Sequence, residues 1–218
     1  MIDSALLEGW LGQAGEGRDH VFGVMIGIVT NNEDPDGLGR VKLRFPWLSE
    51  EHESNWARVL SPMAGNDRGL YTLPEVDDEV LVAFEHGRVE FPYVLGSLWN
   101  GKDKPPGQND GGKNNVRALK SRSGHTISLD DTDGEEKIEI VDAQGKESIV
   151  FNTAENTITI TAEKDVVIES KNGKVQITAK TGVEIKSQDG PGTFEAGGNV
   201  DVKSGANVNV KGSVINLN

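Results

Sequence analysis

The chain contains no cysteine, few aromatic residues and no long apolar run. Without cysteine, disulfide bonds and thiolate metal sites are excluded. The most apolar stretch, residues 21–29, is interrupted by two glycines and is about half as long as a membrane-spanning helix. Nothing near the start resembles a secretory leader, so we expect synthesis in the cytoplasm.

Residue patterns for catalysis are also missing. The four histidines are scattered, with no pair at the spacing of metal ligands, and no Gly-x-Ser-x-Gly or Ser-x-x-Lys motif occurs. The acidic segment 131–135 lacks the distant bidentate Glu of a calcium loop, which favours a hairpin turn there. The sequence predicts no catalytic residue, no metal site and no cofactor.

The charge is strongly acidic, with a formal net value of −13 at pH 7, and most of the excess lies before residue 113. An acidic surface repels phosphate backbones, which carry the affinity of most nucleic-acid complexes. We therefore expect no nucleic-acid partner.

What the sequence does contain is a repeat. From residue 156 onward an apolar-x-apolar pair recurs about every eight residues, with turn residues such as Asn172 and Gly173 between pairs. This pattern indicates a β-repeat rod. Each repeat offers too few inward side chains to enclose a core within one chain, so we expect a bundle of several chains. The predicted shared core consists of Ile158, Ile160, Val166, Ile168, Val175, Ile177, Val183, Ile185, Val200, Val202, Val208 and Val210.

The first half of the chain has a different composition. All tryptophans and tyrosines precede residue 107, where a segment rich in Pro, Gly and Asn follows. Alternating apolar residues predict five strands, and five short strands between turns favour a small β-barrel of the OB-fold type. The predicted strands begin at residue 21 and include 41–45, 56–60, 79–85 and 93–99.

Three more strands are predicted at 126–129, 137–141 and 148–151, about eleven residues apart, before the tighter repeat begins. Together these patterns divide the chain into an N-terminal arm (1–20), an OB-fold domain (21–103), a linker (104–118) and a β-helical spike domain (119–218).

The first twelve residues are compatible with a short amphipathic helix that ends at Gly12. Two interpretations stay open: the helix packs on its own domain, or it is a docking arm for a partner. The residues that face one side, and that we expect to bind a hub protein, are Leu6, Leu7, Trp10 and Leu11.

Several motifs occur in order along the chain: DPDGLGRVK at 34–42, FPW at 45–47, WARV at 56–59, DEVLVAF at 78–84, PYVLGSLWN at 92–100 and KSRSGHTI at 120–127. With these motifs the chain resembles the phage baseplate assembly protein V family and the VgrG spike of type VI secretion. The resemblance covers roughly residues 20–218.

The resemblance implies an all-β protein in which a five-stranded OB-fold barrel leads into a trimeric, intertwined β-helix, a β-prism needle. It implies a structural central spike protein of a contractile phage tail or related injection system. Such a homotrimer nucleates the baseplate, plugs the tube and pierces the target envelope when the sheath contracts. The implied partners are inner tube and baseplate proteins and, transiently, the target cell envelope. Particles of this kind are also released extracellularly.

Departures from the family sharpen these expectations. No lysozyme-like domain follows the barrel, and no histidine follows His125, so neither cell-wall hydrolysis nor a His-x-His iron site is expected. About twenty residues precede the barrel, so we expect a separate hub protein. A PAAR-type tip protein is expected to bind the last residues, Val214, Ile215, Asn216, Leu217 and Asn218.

An alternative from another functional class is an OB-fold module that binds a glycan or nucleic acid on a β-solenoid stalk. Exposed aromatic and basic residues on the barrel would favour this alternative, whereas the acidic charge disfavours it.

Overall fold

A computed structural model describes residues 20–48 and 52–216, which form an all-β chain apart from two 3-10 turns, Glu85–Gly87 and Asp110–Gly112. The chain divides into two compact units, Met1–Glu163 and Lys164–Asn218. The strands are β1 Val24–Asn31, β2 Arg40–Arg44, β3 Ala57–Val59, β4 Ala64–Gly65, β5 Arg68–Gly69, β6 Glu79–Phe84, β7 Pro92–Ser97, β8 Val116–Lys120, β9 Thr126–Asp130, β10 Lys137–Val141, β11 Ser148–Asn152 and β12 Thr157–Thr161.

Five strands close into a barrel in the order β1, β2, β3, β7, β6. Numbered along the chain, this order is 1-2-3-5-4, in which the third and fifth strands are parallel and the other neighbours are antiparallel. A closed five-stranded barrel of this topology is an OB-fold. The predicted fold class is therefore confirmed for this part of the chain.

The barrel encloses the hydrophobic core. In β2, Val41 and Leu43 are fully buried while Lys42 between them points outward, as the alternation in sequence predicts. No described residue after Val94 is fully buried, so this core is confined to the barrel. Its members are Val29, Val41, Leu43, Phe45, Ala57, Val80, Val82, Phe84 and Val94.

Strand β1 turns its glycine-bearing side inward. Gly27 is buried, and a Cβ placed there would lie 3.2 Å from both the Phe45 ring and a Val82 methyl group. Val24 and Ile26, which alternate with it, point outward and are exposed. The small residue lets the Phe45 ring pack directly against the strand and meet Phe84 edge-on, with ring centroids 5.4 Å apart.

Two details of the barrel differ from the sequence prediction. The first strand begins at Val24 rather than at residue 21, because Gly23 adopts a φ of 108° that a regular strand does not contain. The hairpin β4–β5, inserted between β3 and β6, was not predicted. Each of its strands has only two residues, too few to show an alternating pattern.

The turn between β1 and β2 is fastened by one ion pair. The Arg40 guanidinium donates hydrogen bonds of 2.9 and 2.6 Å to the two carboxylate oxygens of Asp34, whose side chain is only 3% exposed. The backbone N–H groups of Leu38 and Arg40 also donate to Asp34. The bonds from Arg40, above all, hold the pKa of Asp34 well below its usual value.

The remaining five long strands form an antiparallel meander, ordered β12-β11-β10-β9-β8. The acidic segment between β9 and β10 is a hairpin turn, in which the N–H of Glu135 donates to the carbonyl of Thr132 at 2.8 Å and Gly134 has a φ of 78°. Strand β8 begins at Val116, inside the range predicted as linker, and the predicted domain boundaries stay predictions.

The second unit has a different character. Its described residues, 164–216, contain no helix, strand or hydrogen-bonded turn, and all of them are exposed. Across both units, none of the described helical segments has the length and apolar character needed to cross a bilayer.

The close contact at Gly27 leads to a stability prediction. We expect Gly27→Val to lower the free energy of unfolding by about 1–3 kcal/mol, because the new side chain must displace Phe45 and Val82. The matched control is Gly96→Val in β7, where a Cβ meets nothing within 4 Å. Urea denaturation of both variants measures the difference, and equal stability would contradict the packing described for β1.

The Asp34–Arg40 pair leads to a prediction about pH. Folding lowers the pKa of Asp34, so the ionised carboxylate stabilises the folded chain. This contribution is complete above the pKa of Asp in the unfolded chain, about 4, and is lost as the pH falls below that pKa. Asp34→Ala should therefore lower the urea midpoint most at neutral pH, with a shrinking difference from wild type below about pH 4. Asp36→Ala, which removes a single exposed bond to Arg40, is the control and should lose less.

Candidate assembly surface

The five-stranded sheet has one almost wholly apolar face. Side chains alternate between the two faces of the sheet along each strand, and the pairing register is regular. Paired residues on one face therefore form rows that cross all five strands. One row across this face is Leu119, Ile127, Ile140, Ile149 and Ile160. The parallel row is Arg117, Leu129, Ile138, Phe151 and Ile158. We refer to the nine apolar side chains as the apolar face.

The apolar face is open to solvent. Eight of its nine apolar side chains are between 38% and 66% exposed, and Ile149 is half-buried. The opposite face of β9 and β10 carries polar side chains such as Ser128 and Glu139, and these are half-buried. These two strands therefore expose their apolar side more than their polar side, the reverse of a finished antiparallel sheet.

One end of the apolar face forms a cavity of about 480 Å³ with a mainly apolar lining. Its rim is held together by the two turns at this end. The N–H of Ala143 donates to Nδ1 of His125 at 3.1 Å. The carboxylate of Asp142 accepts the N–H groups of Gln144, Lys146 and Glu147. These bonds, led by that from Gln144, lower the pKa of Asp142 to about 2 and fix the turn.

At the far end, beside the apolar face, one of the two rows ends in a charged residue, Arg117. Its guanidinium donates to Asp131 at 2.8 Å and to the carbonyls of Asn114 and Asn115 at 3.0 and 3.2 Å. The charge is thus directed to the rim of the face, away from the apolar rows, so it does not interrupt them.

In the second unit, the predicted core pairs are also exposed, between 50% and 88%. The described pairs are Val166/Ile168, Val175/Ile177, Val183/Ile185, Val200/Val202 and Val208/Val210. Because the described residues of this unit, 164–216, form no strand, their backbone groups are not paired in a sheet within the chain.

These features suit assembly. Large, regular apolar surfaces of this kind mark protein–protein contacts.

In the described ranges, 20–48 and 52–216, no group of three or more His, Cys, Asp or Glu side chains has the geometry to hold a metal ion.

The sequence prediction named only part of this surface. Ile158 and Ile160 lie on the apolar face, and their place in a shared core stays a prediction; the members from β8 to β11 were not assigned to a core. They carry the same signal, because Ile127/Leu129, Ile138/Ile140 and Ile149/Phe151 are also apolar-x-apolar pairs. Their interval of eleven residues, rather than eight, separated them from the repeat.

The two predicted partner sites are only partly described. Leu6, Leu7, Trp10 and Leu11 lie outside the described residues, as do Leu217 and Asn218. Val214, Ile215 and Asn216 are described and are exposed.

The barrel carries a groove with a mixed polar and apolar lining. This groove, of about 590 Å³, lies beside the hairpin β4–β5, with Leu38, Leu60 and Tyr71 among its exposed lining residues. Trp56 on the barrel wall lies beneath Arg40 and Lys42, at 5.8 and 5.6 Å from its ring centroid. Both cations already have carboxylate partners, Arg40 in Asp34 and Asp36 and Lys42 in Glu53.

Comparison with known proteins gives each part of the chain a family. Residues 25–99 match the type VI secretion system/phage-baseplate injector OB domain, and residues 114–218 match an uncharacterised family conserved in bacteria, DUF2345. Among similar proteins, the type VI secretion system spike protein VgrG3 of Vibrio cholerae is 33% identical over 97 residues, 41% of this chain and 10% of its own length.

The spike protein VgrG1a of Pseudomonas aeruginosa is 28% identical over 130 residues, which are 55% of this chain and 20% of its own. The two family models together cover most of the chain and, with these relatives, support a VgrG-like baseplate spike family. This confirms the resemblance on which the sequence analysis relied.

The family also includes a relative named for a toxin activity. The actin cross-linking toxin VgrG1 of Vibrio cholerae is 33% identical over 97 residues, 41% of this chain and 9% of that protein. Each of these three matches covers a fifth or less of the relative's length, so the activities of the whole relatives are not carried over with the match.

Proposed function

We propose that this chain is a structural central spike protein of a type VI secretion system, phage tail or phage-tail-like injection particle. The single observation that carries the proposal is the apolar face, nine side chains arranged in two rows across five strands. A surface of this size needs a protein partner, and in a spike that partner is another copy of the same chain.

The proposed assembly is a homotrimer. Three apolar faces around a common axis form a shared core, and each half-exposed Ile or Leu gains about 1 kcal/mol when it is buried. Membership of the VgrG-like family supports three chains in particular. The polar face of each sheet then points outward to solvent.

The repeats of the second unit complete the proposed needle. Their apolar pairs and unpaired backbone groups require other chains, which an intertwined trimeric β-helix supplies. Such a rod bears axial load, because any break must separate strands from three chains at once. We propose that it plugs the tube, nucleates the baseplate and pierces the target envelope on sheath contraction, without an enzymatic step.

The proposed partners follow from the same role. Inner tube and baseplate proteins contact the spike in the particle, and the envelope is contacted transiently. We propose a separate hub protein that binds Leu6, Leu7, Trp10 and Leu11, and a PAAR-type tip protein that binds residues 214–218. The chain would be made in the cytoplasm, assembled into the baseplate and in some systems released with the particle.

A ligand-binding OB-fold module on a β-solenoid stalk is the second candidate, favoured by the groove beside β4–β5 and its exposed Tyr71. The acidic charge of the chain disfavours it, because an acidic surface repels anionic ligands. Calorimetric titration with oligosaccharides and single-stranded oligonucleotides tests this candidate; saturable binding that Tyr71→Ala abolishes would favour it.

The trimer is tested with two neighbouring substitutions in β12. Ile160 lies on the apolar face and Thr159 on the opposite face, and both are exposed in the single chain. We expect Ile160→Glu to prevent assembly, since it places three carboxylates around one axis. Thr159→Glu should leave assembly intact. Analytical ultracentrifugation measures the mass; a wild-type species of 23.5 kDa would contradict the proposal.

An intertwined trimer should also resist dissociation kinetically, because strands of three chains must separate before any one unfolds. We expect the wild-type band to remain trimeric in SDS until the sample is heated. Val183→Asp, in the second unit, should abolish this resistance, and an unchanged trimer yield would show that Val183 does not face the shared core.

A further inference from the structure

The turns at the two ends of the strands in the five-stranded sheet differ in charge. Because the strands form a meander, successive turns alternate between the two ends. Turns 121–125 and 142–147 lie at one end, which we name the His125 edge. Turns 131–136 and 153–156 lie at the other, the Asp133 edge. Each edge is continuous, since its turns are joined by the bonds from Ala143 to His125 and from Thr153 to Glu136.

The Asp133 edge is strongly acidic. Its turns carry no Lys or Arg, and their five carboxylates are Asp131, Asp133, Glu135, Glu136 and Glu155. Of these, the structure gives only Asp131 an ion-pair partner, Arg117, within the part of the chain that it describes.

The His125 edge is mixed and carries exposed cations. Its turns contain Arg122 and Lys146 alongside Asp142 and Glu147. Asp142 is occupied by backbone N–H groups of its own turn. Arg122 lies at the tip of its turn with its side chain 82% exposed. Arg122 and Lys146 pair within the chain with Glu75 and Glu163, at exposed positions where a carboxylate of an approaching chain can share or replace these partners.

Turn positions along the stack of strands are also complementary. Neighbouring strands lie about 4.8 Å apart, and along the direction that crosses the strands the turns of the two edges alternate at that interval. Each turn of the Asp133 edge therefore lies at the height of a gap between turns of the His125 edge. A rotation axis parallel to the apolar rows keeps every chain at the same level. The turns of one edge then fit between those of the neighbouring chain.

We propose that in the trimer the acidic Asp133 edge of each chain docks between the cation-bearing turns of the His125 edge of the next. The occupant of each edge is thus a second copy of this chain, and the proposal rests on the proposed trimeric function. A contact between unlike edges closes into a ring when repeated by rotation. An inverted chain would instead bring two Asp133 edges together, which like-charge repulsion disfavours. The charged edges therefore keep the three chains parallel.

The test reverses the sign of the charges on both edges. Arg122→Glu with Lys146→Glu makes the His125 edge acidic and should lower the fraction of chains that refold as trimer by about fivefold. Adding Asp133→Lys and Glu135→Lys to the same chain should restore wild-type association. A five-residue strand spans about 16 Å and separates the edges within one chain. At physiological salt the screening length is about 8 Å, so a rescue of this kind reports contact between chains.

The control is Glu75→Gln with Glu163→Gln. It removes the in-chain partners of Arg122 and Lys146, which lie at 2.9 and 2.6 Å, and leaves the edge cations in place. We expect this control to associate like wild type. Sedimentation at 50 and 500 mM salt, with near-ultraviolet circular dichroism to verify the fold, gives the readout.

The outcomes separate the two proposals. Weakened association that the second reversal rescues, with a difference that shrinks at high salt, supports the edge contact. A trimeric wild type with no effect, or with no rescue, would overturn this inference and leave the spike function standing. A monomeric wild type would overturn both.

Discussion

The uncovered apolar face is the constraint on which the rest of this molecule depends. A sheet with one apolar side must cover it, and the chain solves this problem in two ways. The barrel curls its sheet until Val41, Val80 and Val94 meet inside one chain. The five-stranded sheet leaves Ile127 and Ile140 exposed, and in the proposed trimer the other chains cover them.

The barrel and the five-stranded sheet also differ in how many tight side-chain contacts they contain. The tight packing of Phe45 on Gly27 and the bonds between Arg40 and Asp34 belong to the barrel, which has to be stable alone. The sheet is held mainly by its ladders and turns, and Arg122 links it to Glu75 of the barrel at 2.9 Å. In the proposed trimer, a surface with few constraints of its own can adapt to the two other chains.

The sequence predicted the parts of the fold that follow from alternation, such as the buried Val41 and Leu43 flanking the outward Lys42. It did not predict which side of β1 faces the core, because either the Ile26 side or the Gly27 side could be buried. The Gly27 side is buried because the Phe45 ring fills the space that a larger side chain would need. The apolar face was visible as residue pairs, but its extent depends on cross-strand register. Register is a long-range property that spacing within one strand does not contain.

Apolar burial also explains why the charges at the edges matter. Hydrophobic association has no direction, so two apolar faces gain nearly as much when they meet in parallel as when they meet inverted. Polar and charged groups at a rim supply the missing distinction by making wrong arrangements costly. In the proposed trimer the turns between strands carry that information, because Asp133 and Arg122 lie at opposite ends of the strands of the same sheet. The proposal thus assigns stability and orientation to different residues: the strand interiors drive association, and the turns select one arrangement.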